Sequence, residues 1–294
     1  REVNKPMEIE EISVSKPGPR EVLIRTKAAG ICHSDLHFWN GSYPGQVPMV
    51  LGHESAGVVE QVGSDVHYVK PGDHVITCLS VFCGHCEQCL TGHMSLCNEP
   101  ETNRTKEEAP RLSHNDQPLT QFAQLGSFAE MMLVHEHALV KVREDMPMDR
   151  AALIGCGVTT GIGAVIHTAK VEPGSTVAVI GCGGIGLSAI NGAALAGAAR
   201  IIAVDMVPSK LELARKFGAT DVVDASDGEA VGKVIEMTGG GVHYSFEAIG
   251  LKATAEQAFQ MLRAGGTATV IGMIPPGQMV SLHGVDFLSE KKIQ

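Results

Sequence analysis

Basic residues are scarce in this chain. Its 294 residues include 23 Lys and Arg against 33 Asp and Glu, a formal net charge of −10 at pH 7. Proteins that bind a phosphate backbone normally carry a basic patch or stripe. The composition therefore predicts no nucleic-acid partner.

Long apolar runs are also lacking. We find no stretch of about 18 apolar residues that would cross a bilayer, and the opening stretch REVNKPMEIEEIS has no apolar signal segment. We therefore expect no membrane partner and a cytoplasmic location. Apolar side chains still make up 44% of the chain, enough for a core in one or two domains.

Cysteines are few but clustered. Four of the eight lie in CGHCEQCLTGHMSLC, with the spacing C-x2-C-x2-C-x7-C. Disulfides are rare in a reducing cytosol, whereas four thiolates hold Zn²⁺ in a closed tetrahedral site. The spacing predicts a structural zinc at Cys83, Cys86, Cys89 and Cys97. Disulfides, unliganded thiols and an iron–sulfur cluster are the alternatives, although ferredoxin-like runs usually carry Pro where Asn98 stands.

A second set of metal-binding residue types is dispersed along the chain, as Cys32, His53 and Cys156. Two thiolates and one imidazole on a catalytic zinc leave one coordination position open. Taken singly, each residue is a weak candidate, because a lone Cys is more often a small core residue and a lone His has many other uses.

A glycine-rich turn gives the strongest coenzyme signal. In STVAVIGCGGIGLSAINGAALAGAARIIAVD, Gly181, Gly183 and Gly186 fit G-x-G-x-x-G, with Gly184 inside the turn. A predicted strand at 177–180 precedes it, and a predicted helix at 187–198 and a strand at 200–204 follow it. This order places a pyrophosphate over a helix N-terminus. Asp205 then favours NAD over NADP, because it would meet a 2′-phosphate; the alternative is a glycine turn in an unrelated α/β protein.

The remaining pattern divides the chain into two domains. Strands at 220–224, 244–249 and 267–271 alternate with helices at 229–238 and 253–262, which predicts a doubly wound parallel sheet and an α/β fold class. Residues 1–157 instead form short β-branched segments broken by Gly and Pro, as in a small β-rich domain. We expect Cys156 near the junction, a ligand cleft between the domains, and a long polar surface loop at 99–121.

Four motifs together carry a family resemblance. In order, GHESAGVVEQVG, the four-cysteine loop, GCGVTTG and GCGGIG resemble the zinc-containing alcohol dehydrogenases of the medium-chain dehydrogenase/reductase superfamily, over essentially the whole chain. The resemblance implies a GroES-like catalytic domain at 1–157 with a zinc lobe at about 79–98, a Rossmann NAD domain at 158–294, and two zinc ions per chain. It also implies that the chain stops where the sixth Rossmann strand begins, a region through which family members form homodimers or homotetramers.

The resemblance also assigns roles to residues. Glu54 matches the acid beside the catalytic metal, and Asp35 the carboxylate that orients the ligating His. Ser34 and His37 match a proton relay, with a turn-capping serine and a solvated histidine as alternatives. The coenzyme contacts implied are His33, Lys210 and Thr160, and the substrate-pocket residues implied are Tyr43 and Leu79, which core packing would explain equally well.

The implied activity is oxidation of an alcohol. Zinc polarises the alcohol oxygen and NAD⁺ accepts the hydride, which gives an aldehyde or ketone. A primary alcohol, aromatic or long-chain, is expected as the small-molecule substrate. The alternatives are a class III-like enzyme acting on thiol adducts of formaldehyde, a polyol or secondary-alcohol dehydrogenase, and a catalytically silent NAD-binding protein.

Overall fold

The computed structural model describes residues 2–294 as two compact units. The division falls between Cys156 and Gly157, one residue before the boundary expected from the sequence.

The first unit is rich in short strands. In chain order they are β1 Ser13–Val14, β2 Glu21–Gly30, β3 Met49–Val50, β4 Glu54–Val62, β5 His74–Thr77, β6 Leu112–His114, β7 Gln117–Pro118, β8 Thr120–Gln121, β9 Met131–His135 and β10 Leu139–Lys141. Five of them form an antiparallel sheet in the spatial order β10-β5-β4-β2-β9. This sheet is the β-rich architecture that the sequence predicts.

Alternation of side chains explains this sheet. Along β2, Val22 and Ile24 point to one face and are fully buried, where they pack in one cluster with Val59 of β4. Gly57 allows β4 to approach β2 closely, because a Cβ there would lie 2.5 Å from the Arg25 carbonyl oxygen.

The helices of the first unit are short. They are α1 His33–Trp39, α2 Glu87–Leu90 and α3 Met148–Leu153, with 3-10 turns at Met94–Leu96, Pro100–Thr102, Phe122–Gln124 and Glu136–Ala138. A π-helical turn, Ile154–Val158, follows α3 directly and carries Cys156.

The segment 99–121 is more ordered than the expected loop. It contains β6, β7 and β8, and two of its arginines bind the buried carboxylate of Glu21. Arg104 Nη2 lies 2.5 Å from Glu21 Oε2, and Arg111 Nε lies 2.7 Å from Glu21 Oε1. Burial alone would raise the pKa of Glu21, but the two guanidinium groups outweigh burial and lower it. The prediction missed this because a buried ion pair leaves no local sequence signal.

One helical stretch corrects the expectation about apolar runs. Residues Met148–Thr168 are long and apolar enough to cross a membrane by length and composition alone. Core helices of soluble proteins meet the same criterion, and α3, at the start of the stretch, packs against β2 and β4. The expectation that no such run exists was therefore wrong, whereas the absence of a membrane partner stays a prediction.

The second unit is a doubly wound parallel sheet. Its strands are β11 Thr176–Ile180, β12 Arg200–Asp205, β13 Asp221–Asp224, β14 Val242–Glu247, β15 Leu262–Val270 and β16 Lys292–Ile293, in the spatial order β13-β12-β11-β14-β15-β16. Its helices are α4 Thr159–Gly163, α5 Gly184–Leu195, α6 Pro208–Lys216, α7 Ala230–Thr238 and α8 Lys252–Gln260, with a π-helical turn at Ala164–Thr168 and a 3-10 turn at Gly284–Ser289. The α/β prediction is confirmed.

Several boundaries in the second unit differ from the prediction: β14 begins at Val242 rather than at residue 244, β15 begins at Leu262 rather than at residue 267, and α5 spans Gly184–Leu195 rather than 187–198. β14 ends at Glu247 rather than at residue 249, because the backbone turns there and Glu247 Oε1 accepts the N–H groups of Ile249 and Gly250, each at 2.8 Å. The last helix ends at Gln260, and β15 begins two residues later. The expected sixth strand is present as β16, which pairs in parallel with β15.

Candidate active site

Cys32 and His53 come from neighbouring ends of two paired strands. Gly30, the last residue of β2, is the ladder partner of Glu54, the first residue of β4. Cys32 follows the end of β2, and His53 immediately precedes β4. Strand pairing therefore brings the thiol and the imidazole to one edge of the sheet.

Asp35 links these two segments. It is 3% exposed, and its Oδ2 accepts the N–H of Cys32 at 3.0 Å. Its Oδ1 accepts the N–H of Gly52 at 2.9 Å and lies 3.4 Å from His53 Nδ1. Because Nδ1 faces the carboxylate, Nε2 is the nitrogen left for a metal ion.

Glu54 lies beside this group and depends on a glycine. The Glu54 side chain is 5% exposed, and a Cβ on Gly30 would lie 2.7 Å from its Oε2. A side chain at position 30 would therefore displace the carboxylate.

Cys156 reaches the same place from the π-helical turn. π-Helical turns are rare and frequently occur at functional sites, where the wider turn redirects a side chain. Gly155 lies so close to β5 that a Cβ there would collide with the carbonyl oxygen of Thr77. Thr77 is in turn bonded to Ser55 of β4, with their hydroxyl oxygens 2.8 Å apart. A bare glycine thus lets the helical turn pack against the sheet beside His53.

The three donor atoms converge as the sequence predicts. The ligand atoms of Cys32, His53 and Cys156 all lie within 4.8 Å of one another. The two sulfur atoms are 3.9 Å apart, and thiolates at tetrahedral corners about 2.3 Å from zinc would be about 3.8 Å apart. The donor set and its spacing therefore fit a zinc ion with one open position.

Electrostatics favour the ligand form of Cys32. The neighbouring Cys156 thiol outweighs burial and, with His53, lowers the pKa of Cys32 to about 3. Burial would lower the pKa of His53, but the Asp35 carboxylate and Cys32 outweigh it and raise that pKa to about 9. The site thus stabilises a thiolate, the form in which Cys binds metals.

The proposed proton-relay residues share helix α1. Ser34 Oγ lies 3.6 Å from Cys32 Sγ, and His37 lies one turn further on, on the same side of the helix. Burial, and then the nearby His33, lower the pKa of His37. Its Nδ1 is buried and has no hydrogen-bond partner in the described part of the chain. A neutral imidazole with an unpaired nitrogen can accept a proton.

Two aromatic residues of the site were not predicted from the sequence. The ring of Phe122 stands edge-on to the ring of His53, with centroids 5.1 Å apart, and Phe38 lies 4.5 Å from Phe122. Tyr43 continues this aromatic cluster, 6.2 Å from Phe38. Aromatic residues make up only 4% of the chain, so the presence of Phe38 six residues after Cys32 was the available signal.

The remaining candidates from the first unit are Tyr43, Leu79 and His33. The Tyr43 ring also lies 5.5 Å from the His37 ring, which places it beside the relay helix. Leu79 is 39% exposed. His33 is exposed and stacks on His37 with ring centroids 4.9 Å apart.

The four clustered cysteines form a second donor set. All eight cysteines are free thiols, so the disulfide alternative is excluded for this structure. The ligand atoms of Cys83, Cys86, Cys89 and Cys97 lie within 4.8 Å of one another, with sulfur–sulfur distances of 3.8 Å (83–89), 3.5 Å (86–89) and 4.0 Å (86–97). These values again bracket the tetrahedral edge of about 3.8 Å expected for zinc thiolates.

Backbone amides support this lobe. The N–H groups of His85 and Cys86 donate to Cys83 Sγ at 3.4 and 3.3 Å. Burial would raise the pKa of Cys83, but these donors outweigh it and lower the pKa to about 6. Such N–H···S bonds favour the thiolate that a closed zinc site requires.

The glycines of the coenzyme turn have distinct structural reasons. Gly181 has φ +93° and would place a Cβ 2.5 Å from Ile249 Cγ1. A Cβ on Gly186 would collide with the Gly181 carbonyl. Gly183 and Gly184 face open space at the start of α5. The first and third glycines thus allow close packing, and the middle pair leaves the helix N-terminus accessible to a pyrophosphate.

Asp205 ends β12 and is held by backbone donors. It is 8% exposed, and its two oxygens accept the N–H groups of Cys182 at 2.7 Å and Val207 at 2.9 Å. Lys210 is exposed in the first turn of α6. Burial, together with the charge of Asp205, raises the pKa of Cys182 to about 12, so this thiol is an inert filler of the turn.

Thr160 lines a cavity within the second unit. The cavity measures about 440 Å³ and is bounded by α4, the π-helical turn after it, and the carboxyl end of β15, including Thr269 and Val270. Ligands of parallel α/β sheets bind at this edge.

Comparisons with known proteins point to one family. A family model described as the alcohol dehydrogenase GroES-like domain matches residues 18–144, and one described as zinc-binding dehydrogenase matches residues 184–294. The S-(hydroxymethyl)glutathione dehydrogenase of Escherichia coli O1:K1 is 43% identical over 94% of this chain and 77% of its own length.

Two solved structures are similarly close. An alcohol dehydrogenase zinc-binding domain protein from Burkholderia ambifaria superimposes with a TM-score of 0.93 at 38% identity, over 100% of this chain and 81% of its own. Benzyl alcohol dehydrogenase from Acinetobacter calcoaceticus gives a TM-score of 0.90 at 36% identity, over 97% and 79%. The resemblance inferred from the motifs is confirmed: the chain belongs to the zinc-containing alcohol dehydrogenases of the medium-chain dehydrogenase/reductase superfamily.

Proposed function

We propose that this protein oxidises a primary aromatic alcohol to its aldehyde, reversibly, with NAD as the hydride carrier. The observation that carries the proposal is the convergence of Cys32, His53 and Cys156 beside the aromatic cluster of Phe122, Phe38 and Tyr43. The donor set matches a catalytic zinc, and the rings match a planar substrate.

The residues around the metal-ligand group would each have a defined task. Cys32, His53 and Cys156 would hold a zinc ion that would supply Lewis acidity for the alcohol oxygen, and the residues of the glycine turn would hold NAD, which would supply the hydride acceptor. Asp35 fixes the His53 ring so that Nε2 faces the metal. Cys83, Cys86, Cys89 and Cys97 would hold a second, structural zinc.

Ser34 and His37 would move the proton that the alcohol loses. Ser34 lies against the Cys32 sulfur, and the lowered pKa of His37 keeps its ring neutral at pH 7. A hydroxyl near the metal can pass a proton on to such a base.

Asp205 supports NAD over NADP. Its carboxylate is fixed by two backbone donors at the end of β12, where an acid can accept the ribose hydroxyls. A 2′-phosphate would meet this negative charge. His33, Lys210 and Thr160 remain proposed coenzyme contacts.

A second candidate substrate is S-(hydroxymethyl)glutathione. It is favoured by the printed name of the Escherichia coli relative. A glutathione adduct carries two carboxylates that need cations, and Arg104 and Arg111 of the segment 99–121 are both bonded to Glu21. We therefore rank it behind an aromatic alcohol.

The test is NADH formation by the purified protein with a panel of substrates. We expect kcat/KM to be highest for benzyl alcohol with NAD⁺, lower for short aliphatic alcohols, and lowest with NADP⁺. A preference for formaldehyde mixed with glutathione would favour the second candidate. A preference for secondary alcohols or polyols, or NADH binding without turnover of any substrate, would contradict the proposal.

The oligomeric state and the cellular location of the protein stay predictions. We propose a homodimer or homotetramer, which light scattering would test, and a cytoplasmic location.

A further inference from the structure

A carboxylate lies fully buried at the coenzyme end of the parallel sheet. Glu247 is the last residue of β14, and its side chain is 0% exposed. Charged side chains are almost never fully buried unless they are paired. No lysine or arginine in the described residues forms an ion pair with it, so its role must come from its hydrogen bonds.

Those hydrogen bonds hold one turn of backbone. Oε1 of Glu247 accepts the N–H of Ile249, the N–H of Gly250 and the hydroxyl of Thr254, each at 2.8 Å. Thr254 belongs to the first turn of α8. A single oxygen therefore ties the end of β14 both to the turn that follows and to the next helix.

The turn packs directly on the glycine turn of the coenzyme site. Ile249 Cγ1 lies 2.5 Å from where a Cβ on Gly181 would stand, and the Ala248 N–H donates to the Ile180 carbonyl at 2.9 Å. The Ile249 side chain is 38% exposed. It therefore presents an apolar surface next to Gly181, at the carboxyl edge where a dinucleotide binds.

The other carboxylate oxygen of Glu247, Oε2, lies beside the segment that follows β15. Oε2 is buried without a hydrogen-bond partner in the described part of the chain, and it lies 2.6 Å from where a Cβ on Gly272 would stand. Gly250, with φ +91°, is packed against Met273 in the same way. The carboxylate thus lies among the segments that follow β14 and β15.

We propose that Glu247 is a positioning residue for the nicotinamide half of the coenzyme. β14 lies on the side of β11 opposite to β12, whose Asp205 is assigned to the adenosine ribose. The turn after β14 therefore flanks the half of NAD beyond the pyrophosphate. By holding Ile249 and Gly250 in place, Glu247 keeps one wall of that half-site preformed. This inference rests on the proposed function, because it requires NAD binding.

The test compares NADH with AMP, a fragment that fills only the adenosine half. In Glu247→Gln, the amide oxygen can still accept the three bonds and the side chain keeps its size, but the charge that strengthens them is lost. We expect the Kd for NADH, measured by fluorescence titration, to rise about tenfold. The Kd for AMP, measured by calorimetry, should stay within about twofold. KM for NAD⁺ should rise while KM for the alcohol does not.

A pair of variants at Thr254 tests the proposal even if Glu247→Gln does not fold. Thr254→Val removes one of the three donors, and Thr254→Ser keeps the hydroxyl as the matched control. We expect the Val variant to weaken NADH binding in the same direction, by a smaller factor, and the Ser variant to bind NADH like the wild type.

The outcomes of these experiments distinguish a failure of the positioning role of Glu247 from a failure of the proposed function. Unchanged NADH binding in Glu247→Gln and Thr254→Val, or an equal loss for NADH and AMP, would overturn the positioning role. If Glu247→Gln does not fold, the Thr254 pair decides. Failure of the wild-type protein to bind NADH at all would instead overturn the proposed function.

Discussion

Single residues define the metal-ligand group of Cys32, His53 and Cys156, and Asp35 connects two of its ligand-bearing segments. Its two oxygens engage the Cys32 segment and the Gly52–His53 segment at once. The family resemblance was enough to propose this residue and the three ligands. It was not enough for Phe38 and Phe122, whose contacts join residues distant in the chain, or for Glu247, whose hydrogen bonds depend on the backbone turn after β14.

The first prediction concerns Asp35→Asn. Loss of the carboxylate charge weakens the interaction between residue 35 and the His53 ring. Mutation of a residue that orients a metal-ligating histidine typically lowers metal affinity by about 10–100-fold. We expect one of two zinc ions to be lost that much more readily to a chromogenic chelator. Asp65→Asn, at an exposed carboxylate, is the control, and equal zinc loss in both variants would contradict the assignment.

A second residue prediction uses His135, which ends β9 and is 4% exposed. Burial, with the charge of Arg20, lowers its pKa to about 4, and its Nδ1 accepts the His137 N–H at 3.1 Å. The ring is therefore neutral in the folded state, whereas the unfolded chain takes up a proton below about pH 6.5. Stability from this residue is complete above that pH and is lost as the pH falls towards 4, by about 3 kcal/mol in all.

The variant His135→Asn tests this slope. Asn keeps an acceptor for His137 but cannot be protonated, so the melting temperature should fall less between pH 6.5 and pH 4.5 than in the wild type. His67→Asn, at an exposed position, should retain the wild-type slope. A wild-type slope in His135→Asn would refute the explanation.

At the scale of elements, the π-helical turn is what brings Cys156 to the sheet. The Rossmann strands were predictable because β11 and β12 are short buried runs. The π-helical turn and the ordered segment 99–121 were not, because each depends on a tertiary contact: Gly155 with Thr77, and Glu21 with two arginines. The early end of β14 was missed because it depends on hydrogen bonds from the following turn to the Glu247 side chain.

The element prediction pairs two glycines of the same helical stretch. In Gly155→Ala the new methyl group collides with the Thr77 carbonyl, so we expect a loss of about 1–3 kcal/mol and reduced zinc at the site of Cys156. In Gly163→Ala no atom lies within 4 Å of the new Cβ, so stability should rise by up to about 1 kcal/mol. Calorimetric melting and zinc analysis of both variants would check this. Equal destabilisation of the two variants, or no destabilisation of Gly155→Ala, would show that the contact with Thr77 is not the cause.

At the scale of the whole molecule, the account rests on two donor sets with different tasks. Both belong to the first unit, whereas the glycine turn, Asp205 and Glu247 belong to the second. Family membership was predictable from the sequence because the four motifs occur in the order typical of the family. The substrate was not, because the aromatic cluster is assembled from separate segments of the chain.

The most direct measurement is the zinc content per chain of the wild type, Cys156→Ser and Cys97→Ser, with NADH binding followed in the same samples. The account predicts two zinc ions in the wild type and one in each variant. Cys156→Ser should lose alcohol oxidation but still bind NADH. A wild type with a single zinc, or a Cys156→Ser variant that keeps both ions and its activity, would contradict the assignment of Cys32, His53 and Cys156 as the catalytic metal site.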